Sequence, residues 1–239
     1  MRFDLHIHSC LSPCAELEMA PRAIVRRART AGLDALAVCD HNSARNAPAL
    51  RDACTEAGMP CLFGLEIATA EELHVLAIFD TVEAALAMTE QVYAALPKRA
   101  NQPAIFGDQP VVNVDDEILE LEWRLLSAPT SLALRDASAR VHQLGGIWIA
   151  AHVDRPSFSV FSQLGLLTGD EGFDALELTP RADRETWRRR GGMLPTLRAS
   201  DAHQLDAIGL VWNEADLPVF SVAALRTALT ADAVRGCVA

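Results

Sequence analysis

Short apolar runs recur near residues 2–8, 34–40, 60–67, 73–79, 147–152, 174–178 and 196–201, and they read as buried strands. Between most of them lie amphipathic, Ala- and Leu-rich stretches suited to helices, roughly 21–31, 48–57, 82–96, 116–126, 132–144 and 222–229. The alternation predicts parallel βα units in an α/β fold. Local signals support several helix ends. Pro21 and Pro48 suit a first helical turn, Gly32 and Gly145 follow helical stretches, and Ser221 suits an N-cap. Segment 97–115 holds Pro97, Asn101, Pro103, Gly107, Asp108 and Pro110 and reads as a long excursion rather than a linker. No internal repeat or low-complexity tract interrupts the chain, so residues 1–239 are expected to form a single domain.

Composition narrows the functional classes. Half the residues are hydrophobic, enough for a sizeable core. The N-terminus lacks the apolar core of a signal peptide, and no run of about 18 apolar residues occurs, so a cytoplasmic location with no membrane partner is expected. The six cysteines, Cys10, Cys14, Cys39, Cys54, Cys61 and Cys237, are scattered and read as thiols. A formal charge of −11 argues against a long nucleic acid duplex as partner, because duplex affinity rests on cationic contacts to phosphate. A small phosphorylated substrate stays compatible with that charge, since bound divalent cations reverse the local field. The oligomeric state is not legible.

Chemistry concentrates in the histidines. Asp4-Leu5-His6-Ile7-His8 places two imidazoles on one face of the first strand. His41, Glu66, His152, Asp201 and His203 all fall where later strands end, and in a parallel βα architecture those ends converge on one rim. His74 lies instead near the start of its strand, which predicts a strand running against its neighbour. Of the seven histidines only His142 sits mid-helix, as a surface or packing residue. A His/Glu/Asp set of this kind suits zinc, manganese or iron better than magnesium, which prefers oxygen ligands.

The successive motifs Asp4-Leu5-His6-Ile7-His8-Ser9, Asp40-His41-Asn42, Gly64-Leu65-Glu66, His74-Val75-Leu76, Ala151-His152 and Ser200-Asp201-Ala202-His203 resemble those of the PHP (polymerase and histidinol phosphatase) superfamily, in order, from residue 2 to 203. The resemblance implies a distorted (β/α)7 barrel whose trinuclear metal site hydrolyses phosphoesters. It implies that His6 and His8 hold one cation with Asp201, that Glu66 bridges it to a second held by His74 and His152, and that His41 and His203 hold a third. The chain departs from the family after His8, where an Asp or His is usual but Ser12-Pro13-Cys14-Ala15-Glu16 stands. Either Cys14 supplies a thiolate, or Glu16 reaches in, or only two ions bind tightly.

The reaction expected of such a site is attack on phosphorus by a water acidified between two cations about 3.5–4 Å apart. Asp40, beside His41, is a candidate to orient an imidazole or the water. Arg155, three residues past His152, is the leading phosphate ligand, with Arg45, Arg181 and Arg184 as further candidates; Arg188, Arg189 and Arg190 read as a solvated charge run. Trp148, Phe158 and Phe161 are able to stack on a nucleobase but read chiefly as core. The expected substrate is a small phosphorylated metabolite, a nucleotide or a short oligonucleotide end. Two alternatives stand beside this reading. One is a metal-dependent amidohydrolase, which the lone Lys98 disfavours; the other is a non-catalytic, metal-stabilised binding or regulatory protein.

Overall fold

The computed structural model describes residues 1–239. Strand and helix alternate from the start: β1 (Arg2–Ile7), α1 (Pro21–Thr30), β2 (Ala35–His41), α2 (Ala47–Ala57) and β3 (Cys61–Ala68). All seven residues of β2 are buried, as expected of a strand covered on both faces. Helix α1 buries Pro21, Ile24, Val25 and Ala28, a single stripe at helical spacing, and begins with its proline in the first turn. Helix α2 ends at Gly58, whose φ of 62° is the left-handed cap that glycine adopts without strain.

The chain continues through β4 (His74–Phe79), α3 (Val82–Ala95), α4 (Pro103–Phe106), β5 (Pro110–Val112), β6 (Ile118–Leu121), α5 (Leu134–Gln143), β7 (Ile147–Ala150), α6 (Val160–Gln163), β8 (Ala175–Leu178), α7 (Arg184–Arg190), β9 (Thr196–Arg198), β10 (Val211–Glu214), α8 (Val222–Thr230) and β11 (Arg235–Val238). Nine strands make one sheet in the order β11-β10-β1-β2-β3-β4-β7-β8-β9. β1, β2 and β3 are mutually parallel, as are β7, β8 and β9. β4 opposes both its neighbours, in keeping with the position of His74, and β10 likewise opposes β1 and β11.

The two ends of this sheet approach one another. Ile7 bridges Ala202, just past β9. Asn213 on β10 is fully buried; its side-chain oxygen accepts from Arg198 N at 2.9 Å, and its amide nitrogen donates to Arg198 O at 2.6 Å and Phe3 O at 3.5 Å. The result is a nearly closed, distorted α/β barrel of seven strands, β1 to β4 and β7 to β9, with β10 and β11 laid along the seam. Helix α8 covers the bottom of the barrel: Val222 N donates to Asp80 past the reversed β4, and Arg226 donates to Gly146 O below β7. Its Leu225 and Leu229 join Leu5, Leu62, Leu76, Ile149 and Leu197 in one apolar cluster. No helix is long and apolar enough to cross a membrane.

Four elements, β6, α7, β10 and β11, lie outside the sequence reading. Segment 116–126 is not a helix. Its residues 118–121 form β6, paired with β5, and all four are exposed, so no core stripe exists to favour helical winding. The charge run near 188–190 ends α7, begun by an Asp183 cap that accepts from Thr186 N at 2.8 Å. The antiparallel strands β10 and β11, joined through α8, carry polar residues in short segments and leave no apolar run to detect.

Candidate metal centre

The barrel brings the predicted rim residues together, and a bulge does the first part of the work. Between Asp4 and Ile7 strand β1 advances three residues while β2 advances two, from Leu36 to Val38. Leu5 therefore joins the barrel interior, and His6 and His8 turn inward as well, where strict alternation from Asp4 would send them to the helix layer. Asp4 anchors the bulge by accepting from His6 N at 3.2 Å and from the Ser200 hydroxyl at 2.5 Å. Burial raises its pKa to about 7, with the Ser200 hydrogen bond opposing the shift. His41 ends β2 opposite Glu66 on β3, and His74 begins β4. His152 and Asp201 sit just beyond β7 and β9, at φ of 30° and 49°, on sharp left-handed turns that cost backbone energy and aim both side chains inward.

Glu66 is the hub. Its Oε1 lies 3.0 Å from His74 Nδ1, 3.1 Å from His152 Nε2 and 3.5 Å from His6 Nε2, whereas Oε2 lies 2.9 Å from His41 Nδ1 and 3.6 Å from His8 Nε2. Asp201 Oδ1 stands 3.0 Å from His8 Nε2 and 3.3 Å from His6 Nε2. His8 and His203 rings stack at 4.1 Å. Three groups have donor atoms mutually close enough to share a cation: His6, His8 and Asp201; His41, Glu66 and His74; and His8, His41 and His203. Burial disfavours ionising Glu66, yet the charges of His74, His6 and His41 hold it well below the usual carboxylate range. Burial acts likewise on Asp201 and is outweighed by His6 and His8.

The donor set fits divalent cations. His6 and His8 face one another Nε2 to Nε2 at 3.1 Å, although their Nδ1 atoms already have partners, Glu177 at 2.9 Å and Ser12 at 2.8 Å. Two imidazole nitrogens turned on one point need either a trapped proton or a cation between them. His41 Nδ1, buried and close to Glu66, makes no hydrogen bond of proper geometry, which leaves its lone pair free to coordinate.

Two supporting residues have no counterpart in the sequence reading. Glu177 on β8 is buried, and besides His6 it accepts from His152 N at 3.1 Å, so one carboxylate orients two rim residues. The signal for it was a lone glutamate inside the apolar run Ala175–Leu178. Ser12 donates to Asp40 at 2.7 Å and accepts from His41 N at 3.1 Å. Asp40 also binds Ser9 through its backbone N–H and hydroxyl, at 2.7 and 2.6 Å. Asp40 therefore hydrogen-bonds no rim imidazole directly and reaches His8 through Ser12.

The remaining candidates separate clearly. Arg155 reaches the rim, with Nη2 2.5 Å from Asp201 Oδ2 and the side chain 42% exposed. Arg45 is instead held by Glu120 and Glu122 on and beside β6, its Nη1 3.0 Å from each. Arg184 bonds Thr196, which opens β9 at the far end of the barrel, and Asp232, so it is a structural tie away from the rim. Arg181 is exposed and makes no ion pair. Cys14 lies beside His203 and His41, whose hydrogen bonds outweigh partial burial and lower its thiol to about 6. Glu16 is exposed and meets the site only through its backbone N–H, which donates to His203 O at 2.9 Å. Trp148 and Phe161 are buried, as core residues should be, but Phe158 is half-exposed and stacks on His74. His142 pairs with Asp174 at 3.0 Å on the surface.

Comparison with known proteins agrees with this geometry. Residues 4–143 match the PHP domain, and residues 192–234 match the PHP-associated family. A 5'-3' exoribonuclease of Haemophilus influenzae is 30% identical over 112 residues, covering 45% of this chain and 39% of that protein. The lesion-specific endonuclease Q of Pyrococcus furiosus has the same fold, with a TM-score of 0.70 and 20% identity over 97% of this chain and 56% of its own. A protein of Bifidobacterium adolescentis described as a metal-dependent phosphoesterase gives a TM-score of 0.61 at 23% identity, covering 84% of this chain and 87% of its own. The chain thus spans less than two thirds of both the exoribonuclease and endonuclease Q. Endonuclease Q has also been solved with a 27-mer duplex bearing an abasic lesion at the active site. The expectation that net charge argues against a long duplex is corrected by that complex: a protein that shares this fold takes a duplex as substrate, and the field of cations at a rim is separate from the charge of the whole chain.

Proposed function

The chain belongs to the PHP domain family, and from there we propose that it hydrolyses phosphodiesters in a dinucleotide or at the end of a nucleic acid strand, using two or three manganese, zinc or iron ions. It is a metal-dependent hydrolase of the phosphoesterase class. The observation that carries the reading of a multi-ion hydrolytic site is Glu66, whose two oxygens face different sets of imidazoles and so suit a bridge between neighbouring cations. Divalent cations held there supply Lewis acidity, acidifying a water and offsetting charge on phosphoryl oxygens.

The chain's own residues do the rest. His6, His8 and Asp201 would hold one ion, and Glu66 would join it to another beside His74, His152 and His41. His203 with His8 and His41 offers a third place, to which Cys14 would add a thiolate and a preference for zinc or iron. Glu177 and Ser12 fix the ring orientations of His6 and His8. Arg155, exposed and tethered only to Asp201, is free to exchange that carboxylate for a phosphate oxygen, with Arg181 as a second cation on the open side. The exoribonuclease likeness favours a strand end over a small metabolite. Against the amidohydrolase alternative, Lys98 is exposed past α3 and joins none of the site's hydrogen bonds or ion pairs.

The test is cleavage of short labelled oligonucleotides by metal-stripped protein reconstituted with Mn²⁺. Mononucleotide release is expected, falling by on the order of 10²-fold or more in His152→Ala and Asp201→Ala. Parental rates in both variants would overturn the ligand assignment. Turnover of p-nitrophenyl phosphate with no cleavage of any diester would replace this reading by a monoesterase.

A further inference from the structure

The loop joining β7 to α6 carries more than a ligand. Residues 151–159 hold His152 at the rim, Arg155 against Asp201, and Phe158 against His74. The Phe158 ring lies 5.0 Å from the His74 ring, 16° from parallel, yet 50% of the residue stays exposed. It belongs to none of the hydrophobic clusters, unlike Phe161 and Trp148. Its φ of 55° is a conformation that bulky residues rarely adopt. The loop is nonetheless fixed: Phe158 O accepts from His74 N at 2.9 Å, Arg155 N donates to His152 O at 2.9 Å, and the Ser159 hydroxyl donates to Arg155 O at 2.8 Å. A strained, half-bare aromatic held beside a metal ligand contributes little to folding and offers a flat apolar surface three residues from Arg155, whose exposed guanidinium is paired with Asp201.

We infer that Phe158 is the platform on which a nucleobase stacks while the adjoining phosphate is held at Arg155, so that the loop 151–159 grips one nucleotide by both its ends. This rests on the phosphodiester reading above and adds that the base plane, not only the phosphate, is recognised. Stacking on a bare ring tolerates every base, so selectivity between bases is expected to be weak and to follow ring size.

Two measurements on the full chain with Mn²⁺ test it. The first is binding of 2-aminopurine riboside 5'-monophosphate, followed by fluorescence. Quenching is expected in the parent and in Phe158→Tyr, with loss of quenching and about tenfold weaker binding in Phe158→Leu. The second compares hydrolysis of a dinucleotide with that of the same diester lacking one base. Phe158→Leu is expected to lower kcat/KM about tenfold for the base-bearing diester alone. An equal loss on both diesters marks a ring that merely supports His74, and no loss on either marks an idle one; each overturns the inference. If the parent cleaves neither diester, the phosphodiester reading fails, and the fluorescence result alone then decides whether Phe158 stacks a base.

Discussion

At the scale of single residues, the site depends on groups that never touch the cations. Glu177 holds the Nδ1 side of His6 and the backbone of His152, so Glu177→Ala should weaken Mn²⁺ binding by about ten- to a hundredfold, read by titration calorimetry. Glu177→Gln, which keeps an acceptor, should lose less. Cys14 is exposed, whereas Cys10, Cys39 and Cys54 are buried. Iodoacetamide should therefore label Cys14 first in metal-free protein, and prior addition of zinc should suppress that labelling; equal labelling with and without zinc would remove the thiolate from the third ion. The histidines and acids of the rim were legible from sequence because each ends or begins an apolar run. Glu177 was not, since one buried carboxylate within a strand looks the same whether it orients a ring or pairs with a surface cation.

Among elements, β3 is closely confined between β2 and β4. A Cβ on Gly64 would stand 2.5 Å from Cys39 Sγ and 2.8 Å from Ala77 O, so the strand presses against both neighbours two residues before the hub carboxylate. Gly64→Ala should destabilise the fold by about 1–3 kcal/mol in thermal unfolding and reduce metal affinity through a displaced Glu66. The central strands were readable because strands covered on both faces are continuously apolar. The β5–β6 hairpin was not: Ile118, Leu119 and Leu121 are exposed, and apolar residues facing solvent carry no helical or strand period that a core would impose. A small apolar cluster of Leu11, Leu96, Val111, Leu125, Leu126 and Ala128 holds this excursion, together with polar ties distant in sequence: Asn42 donates to Leu126 O and Ala128 O at 2.6 and 2.9 Å, and Asn46 Oδ1 accepts from Val112 N at 2.9 Å.

For the molecule as a whole, the barrel closes through Asn213 rather than through a full ladder of main-chain bonds between β9 and β1. Asn213→Ala would strand buried backbone groups of Arg198 and Phe3 at a cost of about 1–3 kcal/mol, and with it several degrees of Tm. Seam opening should also raise amide exchange at Arg198 ahead of the β2–β3 core. This closure was invisible in sequence, because a single asparagine in a short polar strand shows nothing of the two strands it joins. The reversal of β4 has a further consequence. Since β3 ends and β4 begins at the metal side, the connection at residues 69–73 hangs over the reaction centre, while the far end of both strands faces α3 and α8. Added length in that turn would have to spare the bonds from Ala70 N to Leu132 O and from Leu134 N to Glu71, so a graft of new grips for larger cargo belongs at the exposed Glu72.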